Sequence, residues 1–413
     1  MRACMVAYTF YETDNRVRRY AETLVRRGDH VDAIVLRRPG QTPFDMICGV
    51  NVYRIQYRVI DESHPVTYLV KLLTFLLRSL YLLTERHIRR PYNLIHVHSI
   101  PDFEVFSTLV TRILGAKIIL DIHDIVPELY ASKFRISKKS LPFRLLVWME
   151  WLSIRYSHHV IIANHLWYER LVTRSARPEH CSTILNYPDP LLFRRSRGKR
   201  TEDPATFVLC YPGTLSWHQG VDLIVQAVAK LREAAPNIRL LVFGDGPERG
   251  RLQGLVRELH LEDQVTVGGG VAIEEVAAAM ENVDLGVEPK RKQTFGNEAL
   301  STKILEFMAM GVPVLASDTL INQRYFNGGL VDFFNSDDVD DLAASILRLM
   351  NDPERRGALR ERGSQYIQIN NWDTKMHEYL DLVDRLVGPS VHKPLLRFHG
   401  SSISDSNQPS SNQ

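Results

Sequence analysis

Short runs of β-branched and other apolar residues alternate with longer amphipathic stretches along most of the chain. This alternation is typical of β-α-β units, in which a crossover helix connects successive parallel strands. We predict strands in the first half at residues 3–8, 31–36, 94–98, 117–121, 160–163 and 182–185. The pattern restarts with predicted strands at 207–211, 240–244, 265–267, 284–288 and 312–316. The sequence therefore predicts an α/β protein with two parallel sheets.

Residues 194–204 (RRSRGKRTEDP) are polar and charged, and they separate the two blocks of the pattern. This composition is typical of an interdomain linker. We therefore predict a first Rossmann-like domain over 1–193 and a second over 205–371. A helix over 372–387 is predicted to pack back onto the first domain. The tail, 388–413, is rich in Ser, Asn and Gln, so we expect it to be disordered.

Charge and cysteine content exclude several classes of function. A net charge of +3 over 413 residues is too small to predict nucleic-acid binding. The four cysteines lie far apart, without the paired spacing of a zinc site or a disulfide framework. The N-terminus has neither the basic region nor the cleavage site of a signal peptide. These features predict a cytoplasmic protein.

Residues 66–83 form a stretch almost long enough to cross a bilayer. Lys71 and Arg78 argue against spanning, because each would cost roughly 2.5–3.5 kcal/mol at the membrane centre. With the arginines that follow, the segment 66–90 fits an amphipathic helix on an anionic membrane surface, and it fits a buried crossover helix equally well. The segment 141–158 has the same character, and there an apolar face against the sheet is the favoured alternative.

The segment 296–317, GNEALSTKILEFMAMGVPVLAS, links two predicted strands through a helix that Ser301 or Thr302 can cap. Lys303 and Glu306 lie one turn apart, on a different face from the apolar residues of this helix. A carboxylate there can accept hydrogen bonds from both ribose hydroxyls, while the helix N-terminus and Lys303 favour a diphosphate. The alternative is an ordinary surface ion pair.

Further polar loops follow other strands, where ligands of open parallel sheets bind. His123 and Asp124 follow the strand 117–121, and an imidazole there can donate to a sugar hydroxyl, although a lone histidine is more often structural. Glycine-rich loops at 211–222, 243–248 and 267–271 let the backbone approach a phosphate closely, although each alone is a weak signal.

The spacing of Glu298 and Glu306 resembles the E-x7-E signature of glycosyltransferase family 4, and the similarity extends to about Leu386. The resemblance implies a GT-B fold and retaining transfer from a nucleotide-sugar. It implies that Glu298 contacts the donor sugar, that Glu306 holds the ribose and that His123 orients the sugar or takes part in catalysis. Contacts to nucleotide or phosphate are implied for the loop residues Gly213, Gly244, Asp245, Gly246 and Gly269.

The sequence departs from this family at two expected diphosphate-binding cations, where it has Thr214 and Gln219. The usual glycine pair after the first strand is also absent, since that loop reads TFYETDNRVRR. A leaving diphosphate still needs positive charge or oriented donors. Lys303 and, from the first domain, Arg16 are our candidates to supply them.

Together these features predict a glycosyltransferase with a nucleotide-sugar donor and a glycan or lipid-linked acceptor held by the first domain. No Asp-x-Asp metal motif follows any of the predicted strands, so neither metal nor cofactor is expected. Peripheral contact with the inner face of an anionic membrane is a further expectation. A non-catalytic partner subunit and a sugar-nucleotide epimerase of the same fold remain alternatives, whereas a dinucleotide oxidoreductase would need G-x-G-x-x-G after the first strand.

Overall fold

The computed structural model describes residues 1–58, 65–134, 137–194, 205–293 and 295–389. Most of the predicted linker and nearly all of the predicted disordered tail lie outside these ranges. Two sheets form the framework, one of eight strands and one of six. The prediction of an α/β fold with two parallel sheets is confirmed.

The first sheet is parallel except at one edge, where β3 pairs antiparallel with β4. Its strand order is β3-β4-β2-β1-β5-β6-β7-β8. The strands are β1 (Arg2–Ala7), β2 (His30–Arg37), β3 (Phe44–Ile47), β4 (Val50–Tyr57), β5 (Leu94–His98), β6 (Lys117–Ile122), β7 (His159–Ile162) and β8 (Cys181–Thr183). The helices are α1 (Asn15–Arg26), α2 (Pro65–Arg89), α3 (Leu109–Ile113), α4 (Val126–Phe134), α5 (Leu141–Tyr156) and α6 (His165–Arg174).

The second sheet is parallel throughout, with the strand order β11-β10-β9-β12-β13-β14. Its strands are β9 (Phe207–Pro212), β10 (Ile238–Phe243), β11 (Val265–Val267), β12 (Leu285–Glu288), β13 (Val314–Ser317) and β14 (Asp332–Phe334). The helices are α7 (Val221–Leu231), α8 (Arg249–Glu258), α9 (Ile273–Met280), α10 (Thr302–Ala309), α11 (Leu320–Phe326), α12 (Val339–Asn351), α13 (Pro353–Ile369) and α14 (Trp372–Val387).

Both sheets are buried on both faces, which explains the nearly continuous apolar runs of the central strands. In β1, Met5 packs in a core with Tyr20 and Trp372, whereas its neighbour Val6 packs in another with Phe75. The predicted strands match the observed ones within two residues at each end. Strands β3 and β4, which form an edge hairpin, and the three-residue strand β14 were not predicted from the sequence. In β4, buried and half-buried residues alternate, so it has no continuous apolar run.

The C-terminal helix α14 packs against α1 of the first sheet. The indole Nε1 of Trp372 donates to Thr23 Oγ1 at 2.8 Å, and Arg27 pairs with Asp384 at 2.8 Å. The Tyr379 ring lies 4.4 Å from that of Tyr20. Because α14 follows the second sheet in the chain, these contacts connect the two halves of the molecule.

Helix α2 has two different apolar faces. Leu72, Phe75 and Leu83 are buried against the first sheet. The opposite face is exposed and carries Leu69, Val70, Leu73, Leu77 and Tyr81. Within the described residues, Thr67–Arg89 is long and apolar enough to cross a membrane by length and composition. The structure nevertheless uses it as a crossover helix between β4 and β5.

Candidate active site

Glycine-rich loops from three strands of the second sheet lie against one another at its carboxyl edge. The amide of Gly213 donates to Phe243 O at 2.8 Å, and that of Gly244 donates to Gly269 O at 3.0 Å. Gly213, Gly244 and Gly246 have φ values of +144°, +147° and +156°, which side-chain-bearing residues rarely adopt. A Cβ on Gly244 would lie 1.8 Å from Gly213 O. The backbone itself therefore requires glycine here.

These loops and α10 enclose a cavity of about 380 Å3, which we call the second-sheet cavity. Gly213, Thr214, Gln219 and Gly244 line it, together with Lys303 and Glu306. Asp245, Gly246 and Gly269 do not line it; the Asp245 carboxylate instead accepts from the Gly246 amide at 2.8 Å. The structure thus brings most of the predicted nucleotide-binding residues together, and their contacts with a nucleotide stay a prediction.

Gln219 positions the lysine that we expected to replace the missing cations. Its Oε1 accepts from Lys303 Nζ at 3.2 Å and from Tyr211 Oη at 3.3 Å. The ammonium also lies 4.8 Å from the centre of the Tyr211 ring. Burial lowers the pKa of Lys303 to about 8, although Glu288 opposes the shift. Lys303 is therefore a fixed cation that faces the second-sheet cavity.

A second cation in this cavity, Lys290, was not predicted from the sequence. It is 4% exposed, its Nζ donates to Ala299 O at 2.7 Å, and the same atom lies 3.6 Å from Glu288 Oε1. The signal was its place two residues after β12, at the carboxyl edge where ligands of parallel sheets bind. Two lysines therefore face the cavity where the family pattern led us to expect two diphosphate-binding cations.

Glu306 follows Lys303 by one turn of α10, on the face that looks into the cleft. Burial raises the pKa of Glu306 to about 7, and the nearby Lys303 opposes the shift. The predicted side-chain cap of this helix is wrong for Ser301, which occupies the N-cap position but accepts no hydrogen bond from the helix. Its hydroxyl is buried without a partner among the described residues, and Ser301 lines the second-sheet cavity.

A larger space of about 580 Å3, the interdomain cavity, lies between the two sheets. From the first half it is lined by His123, Asp124, Trp167 and residues of α1. Leu300, Thr302 and Glu306 line both this cavity and the second-sheet cavity. A ligand that occupies both would pass Glu306.

His123 is held from behind by a buried carboxylate. Its Nε2 lies 3.1 Å from Asp121 Oδ2 and 3.1 Å from His98 Nδ1. Asp121 is fully buried, and the neighbouring charge of Arg16, with His123, holds its pKa well below the usual range despite burial. An ionised Asp121 orients the imidazole and favours a proton on Nε2, so that Nδ1 is left for a ligand. Neither Asp121 nor His98 was among our predicted site residues.

Arg16 lines the interdomain cavity, but its charge is already paired. Its Nε and Nη2 donate to the two Asp121 oxygens at 2.8 and 2.7 Å, and Nη2 also donates to Ile184 O at 3.0 Å. Only Nη1 has no partner within the described part of the chain. The guanidinium is therefore paired with a buried carboxylate, and the expectation that Arg16 replaces a diphosphate-binding cation stays a prediction.

The same region contains the group His96, His98 and Asp121, whose ligand atoms lie close enough together to hold a metal ion. Arg16 occupies both oxygens of Asp121, and His96 Nδ1 lies 3.1 Å from Tyr379 Oη. A cation would therefore have to displace a buried guanidinium. We assign these residues to the support of His123.

Glu298 does not line either cavity. Its Oε1 accepts from Arg170 Nη2 of α6 at 2.6 Å, and its carbonyl accepts from Asn164 Nδ2 at 3.1 Å. The structure thus places the first predicted carboxylate at the contact between the two halves of the molecule. Its contact with a donor sugar stays a prediction.

Comparisons with known proteins match both halves. The profile of the family "Glycosyl transferases group 1" matches residues 193–366, and that of "Glycosyl transferase 4-like domain" matches residues 13–186. A GDP-mannose-dependent alpha-(1-6)-phosphatidylinositol monomannoside mannosyltransferase from Mycolicibacterium smegmatis is 28% identical over 193 residues. That alignment covers 45% of this chain and 49% of the relative, so the matched chain spans about half the length of this relative.

Solved structures are similar over nearly the whole fold. Sucrose-phosphate synthase from Thermosynechococcus elongatus has a TM-score of 0.75 and 21% identity, with 94% of this chain and 99% of that chain covered. Anabaena Alr3699/HepE, solved in complex with UDP-glucose, has a TM-score of 0.68 and 16% identity, with 93% and 99% covered. At such identities the likeness establishes the two-domain fold.

Proposed function

We propose, from the premise that this chain belongs to the family 4-type glycosyl transferases, that it moves a sugar from a nucleotide-sugar to an acceptor across its cleft. The observation that carries the proposal is the position of Glu306, which lines both cavities. A ribose held by Glu306 directs the diphosphate toward Lys303 and Lys290. The sugar then lies in the interdomain cavity, on the side of His123.

The chemistry follows from the charges around this position. As the bond between the anomeric carbon and the phosphate oxygen breaks, negative charge develops on the diphosphate, and the ammonium groups of Lys303 and Lys290 stabilise it. His123, oriented by Asp121, contacts the sugar. By resemblance we also propose retention, in which the acceptor oxygen attacks from the face of the leaving group. The acceptor proton then passes to the departing phosphate, and no metal is required.

A thermal-shift screen against UDP-, GDP- and ADP-sugars tests the donor half of this proposal, because a ligand bound to the folded state raises its apparent stability. GDP-mannose and UDP-glucose belong in the screen, since the mannosyltransferase relative uses the first and the Anabaena structure contains the second. We expect one nucleotide class to raise the melting temperature. No shift with any of them would contradict the proposal.

Turnover then separates the enzyme from its alternatives. We expect the parent to hydrolyse or transfer the selected donor, and His123→Ala and Glu298→Ala to lose at least about 100-fold in rate. Binding without turnover would indicate the non-catalytic subunit, which Thr214 and Gln219 at the cation positions would fit. A donor recovered with an altered sugar would indicate the epimerase.

For the acceptor we propose a lipid-linked molecule at an anionic membrane. Helix α5 has a second exposed apolar face, which carries Leu141, Leu145, Trp148 and Trp151, and Leu69 of the α2 face and Leu145 of the α5 face line one groove. This groove of about 390 Å3 has an almost wholly apolar lining and reaches Val126, three residues after His123. Exposed Lys138, Lys139, Arg144 and Arg155 flank the α5 face. Apolar surface rimmed by basic side chains fits anionic lipid.

Flotation with vesicles that contain anionic phospholipid tests this part separately. We expect the parent to float, and Leu73→Glu combined with Trp148→Glu to abolish flotation without loss of donor binding. Ile369→Glu is a matched control, because Ile369 is 67% exposed on α13, away from both helices. Failure of the parent to float, or equal loss in the control, would contradict the membrane proposal alone.

A further inference from the structure

The loop that carries Glu298 is held by one face of α6. Asn164 at the N-cap, Trp167 and Arg170 follow one another at intervals of three residues, so they lie on the same side of the helix. Asn164 donates to the Glu298 carbonyl, and the Trp167 ring stacks on Phe295 with 5.4 Å between the ring centres. Arg170 donates to the Glu298 carboxylate. The first half of the molecule therefore fixes both the backbone and the side chain of this loop.

Arg170 is itself oriented from behind by buried and half-buried charges. Its Nη1 lies 3.7 Å from Glu128 Oε1. Glu128 accepts from both terminal nitrogens of Arg174, at 2.6 and 3.2 Å, and Arg174 pairs with Glu150 on α5 at 2.5 Å. Glu150 is 1% exposed, so this chain of charges ends inside the first domain. A guanidinium held in this way presents its remaining nitrogen in a defined direction.

We propose that Arg170 is a positioning residue for Glu298. It holds Oε1 and thereby leaves Oε2 to accept a hydrogen bond from a donor-sugar hydroxyl. This inference rests on the proposed function. No described residue bonds Oε2, and the Glu298 side chain keeps 23% of its surface exposed. Glu298 lines neither cavity, but Leu300, two residues along the chain, lines the interdomain cavity, so a sugar hydroxyl would reach Oε2 at the edge of that cavity. Arg170 belongs to the first half and Glu298 to the second, so the orientation of the carboxylate depends on this contact between the two halves.

The same geometry predicts which step depends on Arg170. Under the proposed function the nucleotide binds in the second-sheet cavity, which Arg170 does not line, whereas the sugar contacts Glu298. Loss of the guanidinium should therefore reduce the use of the complete donor and spare the affinity for the nucleoside diphosphate alone. If Arg170 only joined the two halves, its loss would reduce both the use of the complete donor and the affinity for the nucleoside diphosphate, or it would reduce folding stability alone.

The test compares Arg170→Met, Arg170→Lys and the control Arg324→Met. Arg324 forms the neighbouring ion pair between the halves, with Glu169 of the same helix α6 at 2.6 Å, and both partners are exposed. With the nucleotide-sugar that the screen selects, we expect Arg170→Met to lower kcat/KM about 10- to 100-fold, as for one lost charge-assisted hydrogen bond. Arg170→Lys should recover part of this loss. Arg324→Met should stay within about twofold of the parent.

Two further measurements complete the test. The first is the affinity for the matching nucleoside diphosphate, measured by calorimetry. The second is the rate of the double variant that combines Glu298→Gln with Arg170→Met. We expect unchanged diphosphate affinity in Arg170→Met, and a double variant no slower than Glu298→Gln alone, because Arg170 acts through that carboxylate. Unchanged kcat/KM in Arg170→Met, equal loss of diphosphate affinity, or multiplicative effects in the double variant would overturn the inference. A parent that binds no nucleotide-sugar would instead overturn the proposed function, and this inference with it.

Discussion

The two walls of the cleft are built in different ways. The wall from the second sheet consists of glycine loops and one helix, α10, and backbone hydrogen bonds join the ends of its neighbouring strands. The wall from the first sheet consists of side chains that are distant in sequence. Arg16 and Asp121 are 105 residues apart, and His96 meets Tyr379 across 283 residues. One wall depends on backbone conformation, and the other depends on buried pairing of charges.

This difference predicts different responses to substitution. A backbone-built wall keeps its shape when side chains change but requires glycine where φ is positive. A wall of buried charges is satisfied only as a set, since removal of one partner leaves the other desolvated and unpaired. We therefore expect substitutions in the wall from the first sheet to reduce folding stability. Substitutions in the wall from the second sheet should instead weaken donor binding.

The largest effect is expected for Arg16→Met, which leaves Asp121 fully buried without its cation. Breaking such a pair typically costs about 3–5 kcal/mol of unfolding free energy, measurable by urea denaturation at neutral pH. Arg18→Met is the matched control two residues away, because its pair with Glu22 is half-buried and formed within α1. The control should lose about 0.5 kcal/mol or less. Equal losses in the two variants would remove the distinction between the walls.

Gly244→Ala is the corresponding change in the second wall. At φ +147°, with a Cβ 1.8 Å from Gly213 O, alanine forces the loops after β9 and β10 apart. Strain of about 1–3 kcal/mol should appear mainly as weaker nucleotide binding, about 10- to 100-fold by calorimetry. The control is Gly250→Ala, because Gly250 lies in α8 with open space around it. We expect this variant to bind the nucleotide as the parent does and to have a slightly higher unfolding free energy. Normal nucleotide binding by Gly244→Ala would show that the loop does not contact the ligand.

The pH dependence of donor affinity sharpens the contrast further. Glu306, with its pKa raised to about 7 by burial, must lose its proton to accept two ribose hydrogen bonds, so affinity should rise as pH increases through 7. Lys303, with its pKa lowered to about 8 by burial, must keep its proton, so affinity should fall as pH increases through 8. Below pH 7 the change should approach about tenfold per pH unit. Glu306→Gln should remove the rise in donor affinity around pH 7. If the donor affinity of the parent did not change with pH, the binding roles of both Glu306 and Lys303 would be contradicted.

The same contrast explains how much of the molecule could be predicted. Strands, glycine loops and the Lys303–Glu306 face follow from short patterns, because each depends on residues within about one turn or one strand of each other. The His123–Asp121–Arg16 set could not be predicted, because no local pattern shows that α1 lies beside the end of β6. Lys290 lay within reach of local reasoning and was overlooked, since its position after β12 is the same kind of signal as that of His123 after β6.

The smallest effect is expected at the contact in the wall from the first sheet whose two residues lie farthest apart in sequence. Tyr379→Phe removes the hydroxyl that lies 3.1 Å from His96 Nδ1, in a site where both residues are fully buried. Burial lowers the pKa of His96 well below its usual range, so the ring is neutral at pH 7 and the lost bond is an uncharged one. Such a loss costs about 1 kcal/mol, because the histidine nitrogen is left without a partner. Tyr57→Phe, at a tyrosine that is 54% exposed, should change the unfolding free energy by less than about 0.5 kcal/mol. If Tyr379→Phe and Tyr57→Phe had equal unfolding free energies, the contact between α14 and His96 would contribute packing alone. The paired side chains of the wall from the first sheet would then extend only as far as Asp121.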